Sequence, residues 1–507
     1  MPGGIMQLTS QGAQDLFLVG NPSITFFKTV YRRHTVFGAE YISLYFDPLA
    51  TFTPTMHTTA TCKVNRNADL VYDCYLTYEL PAIFTNNKIP FGWCEGVGNK
   101  IIQETTFRFD GAQIERQTGD YMKVYTELSS TATQFEKYNE LTGNINYLKN
   151  SGQQLSDNIE DQDLAILAYK LYIPFSYWFC QNSGAAIPLI ALQYVEAYID
   201  VIFNPLNDLF RIGNPLVSCQ QLFGDYENSD ENIKIRDYLL GQGYDQTNAI
   251  YYFTQGNWRG NTTIIANYIY LGEDERRQFA QTSHEYLITQ TQFNLFQGLK
   301  KGPNYVETTF NNPVLEIIWY LTRDDLYLRN DWYNFTGLEE DKTLQYVYEY
   351  FGKKNVYKLN KEFLENEYRG SKKFLNDVKA KTIDSLTNIQ LQTYFNGYDN
   401  IMDAFQPVLN NNDRQEIFDS NFYRSLNQYK YHTGKTNQPV YVMSYSLEPE
   451  KVQPSGTQNY SRLDRQEFRI NISDIYPIED KFDCYMYARS YNVLRIIGGI
   501  GSIVFAN

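Results

Sequence analysis

The sequence has few of the residues from which reactive sites are built. Its 507 residues include six cysteines without any Cys-x-x-Cys pair, and only four histidines, His34, His57, His284 and His432. Zinc sites and dense disulfide frameworks require such residues at close, regular spacing. We therefore predict no metal site, and we expect the cysteines to be free thiols in a reducing compartment.

Long apolar runs are missing as well. Residues 1–4 (Met-Pro-Gly-Gly) have neither the basic nor the apolar part of a secretory signal. No stretch reaches the ~20 apolar residues that span a bilayer. The best candidate, 496–506, is short and interrupted by glycine. We expect a soluble protein that does not use the ordinary secretory signal.

Positive charge is scarce. The 44 Lys and Arg face 58 Asp and Glu, which gives a net charge of −14. Nucleic-acid binding depends on a positive surface that displaces counterions from phosphates. We therefore expect no direct binding to nucleic acid.

Motifs of catalysis and cofactor binding are incomplete. Residues 433–436 (Thr-Gly-Lys-Thr) imitate the end of a phosphate-binding loop, but Tyr429 stands where that loop needs its first glycine. No Gly-x-Ser-x-Gly elbow occurs. We expect no enzyme, no catalytic residue and no cofactor. The remaining candidate sites are the glycosylation sequons at Asn261 and Asn334, since those at Asn459 and Asn471 lie in or beside predicted strands.

Aromatic residues are abundant, at 16%, with 44 Tyr and 32 Phe. Such side chains suit pleated, half-buried strands, and tyrosine also suits large interfaces. Apolar and polar residues alternate with a period of two in 71–80, 195–203, 441–447 and 467–472, and 315–321 is apolar on both faces. The spacing in 160–171 instead predicts a helix, and 343–378 predicts one or two more. Strands without regular helix alternation indicate an all-β fold of sandwiches.

Two polar segments, at about 204–261 and about 323–387, interrupt the strands. Long excursions in compact β domains are usually surface features. We interpret both as insertions, with a junction between two strand-rich halves near 278–292.

Several motifs, in a fixed order, resemble those of one protein family. The opening has Gly-Gly-Ile-Met-Gln-Leu at 3–8, Gly-Ala-Gln-Asp-Leu-Phe-Leu at 12–18 and Gly-Asn-Pro-Ser-Ile-Thr-Phe-Phe-Lys-Thr-Val-Tyr-Arg-Arg-His-Thr at 20–35. Later motifs are Ile-Pro-Leu-Ile-Ala-Leu-Gln-Tyr at 187–194, Asp-Glu-Arg-Arg-Gln-Phe-Ala at 274–280, Phe-Asn-Asn-Pro at 310–313, Gln-Pro-Ser-Gly-Thr at 453–457 and Tyr-Asn-Val-Leu-Arg-Ile at 491–496. Together they resemble the major capsid proteins of large nucleocytoplasmic DNA viruses, such as phycodnaviruses, iridoviruses and mimivirus-like viruses.

This resemblance implies a double jelly roll, in which two consecutive eight-stranded β-sandwiches follow an amino-terminal inner arm. The expected divisions are 1–24 for the arm, 25–280 for the first jelly roll and 281–507 for the second. The implied function is that of a structural subunit of an icosahedral capsid, which forms pseudo-hexagonal homotrimeric capsomers.

The partners implied by the resemblance are further copies of the chain, neighbouring capsomers, minor capsid proteins and the inner membrane layer of the virion. The expected location is the virion, after assembly in the host cytoplasm. Gln458 stands where many members carry Cys. This departure leaves open a minor capsid paralogue or a scaffold protein of the same fold. A more distant alternative is a carbohydrate-binding or hydrolytic β-sandwich, because one fold can host many functions.

Overall fold

The fold consists of antiparallel sheets, seen in a computed structural model of the chain. The structure describes residues 3–50, 52–53, 55–85, 91–149, 163–212, 253–254, 257–258, 261–328, 330–337, 400–474, 476 and 480–505. The second predicted helical segment, 343–378, lies outside these residues.

Strands of the first half form one sandwich with a few short accessory pairs. They are β1 (Phe37–Tyr45), β2 (Thr58–Val64), β3 (Leu70–Leu80), β4 (Ile83–Thr85), β5 (Phe91–Trp93), β6 (Ile102–Phe109), β7 (Ala112–Thr118), β8 (Asp163–Ile166), β9 (Tyr169–Pro174), β10 (Ile187–Pro188), β11 (Ala197–Phe203), β12 (Phe210–Ile212), β13 (Phe253–Thr254), β14 (Asn257–Trp258) and β15 (Thr263–Leu271). One sheet has the order β1-β15-β3-β10, with β9 also on β3, and the other has the order β2-β11-β6-β7.

The second half repeats this arrangement. Its strands are β16 (His284–Leu299), β17 (Gly302–Glu307), β18 (Pro313–Arg323), β19 (Met402–Leu409), β20 (Asn412–Asp413), β21 (Phe418–Asp419), β22 (Val440–Ser444), β23 (Gln458–Asn459), β24 (Gln466–Ile472), β25 (Phe482–Ile497) and β26 (Ile500–Ile503). A six-stranded sheet runs β16-β25-β18-β22, with β23 on β18 and β26 on β25. A five-stranded sheet runs β17-β24-β19-β20, with β21 on β19.

The described helices are short. They are α1 (Gly3–Thr9), α2 (Leu16–Val19), α3 (Val97–Ile101), α4 (Gly119–Ser129), α5 (Ala132–Leu141), α6 (Asn146–Lys149), α7 (Trp178–Gln181), α8 (Glu273–Gln281) and α9 (Asn427–Tyr431). Single 3-10 turns occupy Ser183–Ala185, Leu206–Asp208, Leu326–Leu328 and Tyr460–Arg462, and a π turn occupies Phe422–Leu426. The α8 helix joins the two sandwiches and contains the predicted boundary at 280/281, which stays a prediction.

The predicted alternation is confirmed where it was strongest. In β11, the odd-numbered residues from Ala197 to Phe203 are buried and the even-numbered ones are half-buried. In β18, Trp319 faces the core of the second sandwich while Ile318 and Tyr320 belong to a separate cluster on the other side. A strand with both faces covered explains the continuous apolar run.

The predicted helix over 160–171 is wrong in its described part. Residues 163–166 form β8, and 169–174 form β9, which pairs with β3 from Tyr169↔Leu80 to Pro174↔Tyr75. The leucines at 164, 167 and 171 gave helical spacing, but burial of Leu171 and Ile173 against the sheet determines the strand. Tertiary packing has overridden a local pattern here.

The two sandwiches lie side by side, and their corresponding ends are aligned. At one end, called the top, β11 and β18 end and both predicted insertions begin. Arg211 and Asp331 form an ion pair there, across the two halves, at 2.5 Å. At the other end, called the base, Tyr194 N donates to Gly499 O at 3.1 Å, and β1 begins. Residues 3–36, which extend beyond the predicted arm at 1–24 and are called the arm from here on, therefore leave the body at the base.

Candidate assembly surface

Metal-ligating side chains are not clustered in the part of the chain that the structure describes. Within those residues, no three His, Cys, Asp or Glu side chains are grouped so that they could hold a metal ion. Over the same residues, no helix combines the length and apolar character needed to cross a bilayer.

The two candidate glycosylation residues lie in different surroundings. Asn261 is exposed near the top, and its amide donates to Glu79 Oε2 at 2.9 Å. Asn334 is only 1% exposed, donates to Asp331 Oδ2 at 2.9 Å, and accepts from Thr336 Oγ1 at 2.6 Å. The burial of the Asn334 amide argues against a glycan at this residue in the folded chain, so glycosylation at Asn334 stays an untested prediction. Glycosylation at Asn261 stays a prediction.

The two sandwiches meet in a joint rich in tyrosine. The α4 helix of the first sandwich lies across the outer face of the six-stranded sheet, and the shared cluster includes Tyr121, Tyr125, Tyr320 and Tyr487. The Tyr320 ring stacks on Phe335 with centroids 4.0 Å apart. Thr118 and Tyr487 are joined through their hydroxyl groups at 3.0 Å. A buried apolar interface of this kind fixes the relative position of two domains.

A buried charged cluster lies beside this joint, and sequence reasoning missed it. Glu316 on β18 and Arg489 on β25 are register partners, and Arg489 Nη1 donates to Glu316 Oε1 at 2.5 Å. His432 Nε2 lies 3.1 Å from Glu316 Oε2. The sequence contained one signal of this cluster: a charged residue, Glu316 or Arg489, inside each of two apolar strand runs.

Desolvation and partners set the pKa values of this cluster. Burial alone would raise the pKa of Glu316, but His432 and Arg489 outweigh it and lower the pKa to about 2. For His432, burial alone would lower the pKa, and the carboxylates of Glu316 and Glu450 instead raise it to about 9. Both groups are thus charged at neutral pH, as close opposite charges dictate.

The arm is the most exposed part of the described chain. Every residue from Gly3 to Val36 except Asp15 is classed as exposed, and Phe17 and Phe27 reach 93% and 97%. Its ionic side chains are Lys28, Arg32 and Arg33 against Asp15 alone, so its net charge is +2 within a chain of −14. Exposed apolar segments of this size mark interaction sites.

A first apolar flank lies at the edge of the first sandwich. The β1 strand is the end strand of its sheet, and the aromatic rings of Phe37, Tyr41 and Tyr45 project from one face and are exposed. The opposite face of the strand turns Leu44 into the core. An open edge strand with exposed rings is normally covered in an assembled protein.

A second apolar flank lies on residues 417–429, which cover the edge of the second sandwich that is farther from the first. Asn427 and Gln428 donate to the Val442 and Val440 carbonyls of the end strand β22, at 2.7 and 2.8 Å. The same segment exposes Ile417, Leu426 and Tyr429. In the six-stranded sheet this edge is opposite β16, which faces the first sandwich.

Family models match nearly the whole chain. Residues 25–271 match the model described as the major capsid protein N-terminus, and residues 275–502 match that of the large eukaryotic DNA virus major capsid protein. The chain belongs to the major capsid protein family of large eukaryotic DNA viruses. The major capsid proteins of Phaeocystis pouchetii virus and Pyramimonas orientalis virus are 29% and 28% identical to it, each over 100% of both chains.

Solved structures confirm the fold expected for this capsid family. The PBCV-1 capsid protein VP54 has a TM-score of 0.63 at 21% identity, with 95% of this chain and 100% of that one covered. The Faustovirus major capsid protein has a TM-score of 0.64 at 11% identity, with 96% and 94% covered. The fold is thus a double jelly roll. The described strands exceed eight per sandwich because short strands are added to both.

Proposed function

We propose that three copies of this chain, a structural subunit of an icosahedral viral capsid, close into one pseudo-hexagonal capsomer. The observation that carries this proposal is the joint between the sandwiches. Because α4 and its tyrosines fix two similar sandwiches side by side with their ends aligned, one chain supplies two adjacent sixths of a hexagon. Three chains related by a threefold axis then complete the ring.

The subunits would meet head to tail. In such a ring the β1 flank of one chain faces the Ile417–Leu426–Tyr429 flank of the next, because the two flanks lie on different sandwiches and carry different residues. Both flanks are apolar and aromatic, the composition of permanent subunit interfaces.

The orientation in the shell follows from the two ends. The top, from which both insertions begin, would face outward, where exposure to host and neighbours is greatest. The base would face inward and direct the arm toward minor capsid proteins and the inner membrane layer of the virion. Neighbouring capsomers would contact one another along the remaining flanks. Synthesis and assembly would take place in the host cytoplasm.

The native mass of the purified chain tests the trimer. The wild type should have three times the chain mass of 59.2 kDa. Tyr41→Asp or Leu426→Asp places an unpaired carboxylate in the proposed contact, which costs several kcal/mol when it is desolvated. Either variant should therefore run as a folded monomer in sedimentation or native mass spectrometry.

Leu167→Asp is the matched control, since Leu167 is similarly exposed but lies in the turn between β8 and β9, away from both flanks. It should remain trimeric. A wild-type monomer would contradict the trimer, and a trimer that survives both flank variants would contradict the head-to-tail contact.

A further inference from the structure

The segment that imitates a phosphate-binding loop contacts the first sandwich instead. Residues 432–438, called the turn, run from the end of α9 to β22. Gly434 N donates to Leu128 O at the end of α4 at 2.7 Å, and Asn437 N donates to Glu127 Oε1 at 2.8 Å. A helix end has carbonyls without partners in its last turn, so the Gly434 contact caps α4 from the other sandwich, while the Asn437 contact holds the Glu127 side chain of the same turn.

The same turn is held firmly to the second sandwich. The Gln428 amide donates to Thr436 Oγ1 at 2.9 Å and also to Val440 O at 2.8 Å. Thr433 is joined to Glu450 through its backbone N–H, which donates to Oε1 at 3.0 Å, and through its hydroxyl. The turn is therefore a rigid bridge with one side on each sandwich.

His432 begins the turn, and its ring lies between two carboxylates. Nδ1 lies 3.0 Å from Glu450 Oε1 and Nε2 lies 3.1 Å from Glu316 Oε2. A neutral imidazole has one donor nitrogen and one acceptor nitrogen, whereas the imidazolium has two donors. The protonated ring can therefore donate from Nδ1 to Glu450 and at the same time place a positive charge beside Glu316, with which Nε2 forms a close ion pair. Loss of its proton would set a lone pair against one of them.

We propose that the turn is a latch that fastens the two sandwiches together, and that deprotonation of His432 at alkaline pH opens it. The proposal concerns contacts within one chain, so it stands or falls independently of the number of copies in the capsomer. Below the opening pH, the latch keeps α4 on the second sandwich. Above it, α4 loses its cap and the joint loosens while both cores remain folded.

The charged surroundings of His432 favour this response. The β18 strand contributes Glu316, β25 contributes Arg489, and the loop after β22 contributes Glu450, so removal of the histidine charge leaves two carboxylates with one guanidinium. From α4, Tyr125 packs under Arg489 with the guanidinium carbon 4.3 Å from its ring centroid. Burial raises the pKa of Tyr125 to about 12, so that phenol stays neutral when His432 titrates.

The direction of the pH effect follows from linkage. The pKa of His432 is raised from an ordinary 6.5 to about 9 in the folded chain. Its stabilising contribution is therefore complete below pH ~6.5 and is lost as the pH rises through about 9. Over the range from about pH 7 to about pH 10, this linkage shifts the closed–open equilibrium by a factor on the order of 50.

Hydrogen exchange of the full-length protein, read by mass spectrometry, tests the latch. After correction for the intrinsic effect of pH on exchange, peptides from α4 should exchange on the order of 50-fold faster near pH 10 than near pH 7. Peptides from β6 and β24, in the two cores, should show no such change. His432→Gln should remove most of the pH dependence in α4, because its neutral amide does not titrate.

A second variant covers the case in which His432→Gln does not fold. Glu450→Gln removes one of the two facing carboxylates, at a half-buried position, and should move the midpoint of opening down by about one pH unit. His57→Gln, at an exposed histidine, is the control and should match the wild type. An α4 that stays protected near pH 10 in the wild type, or an unshifted midpoint in Glu450→Gln, would overturn the proposal.

Discussion

The joint between the sandwiches and the two outer flanks use the same residue type in opposite environments. At the joint, Tyr320 and Tyr487 are almost completely buried, and their hydroxyls approach each other at 3.4 Å. On the flanks, Tyr41 and Tyr429 are mostly exposed, with their rings in solvent. One surface is an interface completed within the chain, and the other is, in the proposed capsomer, an interface with a second copy.

This difference explains why aromatic content alone could not locate the interfaces. Tyrosine offers an apolar ring and a hydroxyl that can bond to protein or to water, so it tolerates both states. Before assembly the net charge of −14 keeps a protein with such flanks in solution. Substitution of a tyrosine in the joint should therefore lower the stability of the fold, whereas substitution of a tyrosine on a flank should weaken assembly.

The largest effect is expected from truncation of a tyrosine in the joint. Tyr320→Ala removes a ring that stacks on Phe335 and on Tyr485, with centroids 4.0 and 5.1 Å away. The resulting cavity should lower the free energy of unfolding by about 3–5 kcal/mol, as for other large-to-small changes in cores. Chemical denaturation followed by tyrosine fluorescence or circular dichroism measures this loss.

Tyr429→Ala is the matched change on the flank. Because the ring is 87% exposed, the unfolding free energy of a dissociated chain should change by less than about 0.5 kcal/mol. Its effect should instead appear as weaker association of subunits. A Tyr429→Ala variant that loses as much intrinsic stability as Tyr320→Ala would erase the distinction between joint and flank.

An effect smaller than that of Tyr320→Ala is expected at Gly434, where the turn and α4 are in close backbone contact. A Cβ on Gly434 would lie 2.1 Å from Glu127 O, a contact that real Cβ atoms do not make. Gly434→Ala should therefore force the turn away from α4 and lower the unfolding free energy by about 1–3 kcal/mol, the range for overpacking. Thermal unfolding of the variant against the wild type provides the measurement.

Gly111→Ala supplies the control for that experiment, since a Cβ at Gly111 meets nothing within 4 Å. It should be neutral or slightly stabilising, because alanine restricts the unfolded chain. A Gly434→Ala variant as stable as Gly111→Ala would show that the turn can move away from α4 without loss and does not hold the joint.

Local sequence patterns predicted the strands that alternate and the strand with two covered faces, β11 and β18. The same patterns wrongly predicted a helix over 163–171, because the leucine spacing there is helical. Pairing of β9 with β3 makes this segment a strand instead. The motif resemblance predicted the double jelly roll, which solved structures with similar folds confirm. Strand pairing between distant segments, such as β1 with β15, is a property of the whole chain that no window of sequence contains.

The joint and its charged cluster could not be predicted in the same way. Glu316, His432 and Arg489 are separated by more than fifty residues from one another, and a charged residue in an apolar strand run does not reveal which distant partners it will meet. The Thr-Gly-Lys-Thr motif at 433–436 lacks the first glycine of a phosphate-binding loop, because Tyr429 stands in its place. Its contact with α4, however, depends on the packing of two domains.

The smallest effect on stability is expected from removal of the arm. Deletion of residues 1–35 retains Val36, whose carbonyl accepts from Gly272 N at 3.2 Å, and the described part of the deleted segment, residues 3–35, is exposed except for Asp15. The unfolding free energy should change by less than about 0.5 kcal/mol, because surface changes away from packed features rarely exceed that value. The number of copies in the native assembly should remain that of the wild type, whereas incorporation into shells should fall if the arm binds inner partners. Phe26→Ser with Phe27→Ser, which keeps the length and charge of the arm, should reproduce the assembly defect. A loss of more than about 1 kcal/mol on deletion would mean that the arm packs on the body, and would make it part of the folded subunit instead of a free binding segment.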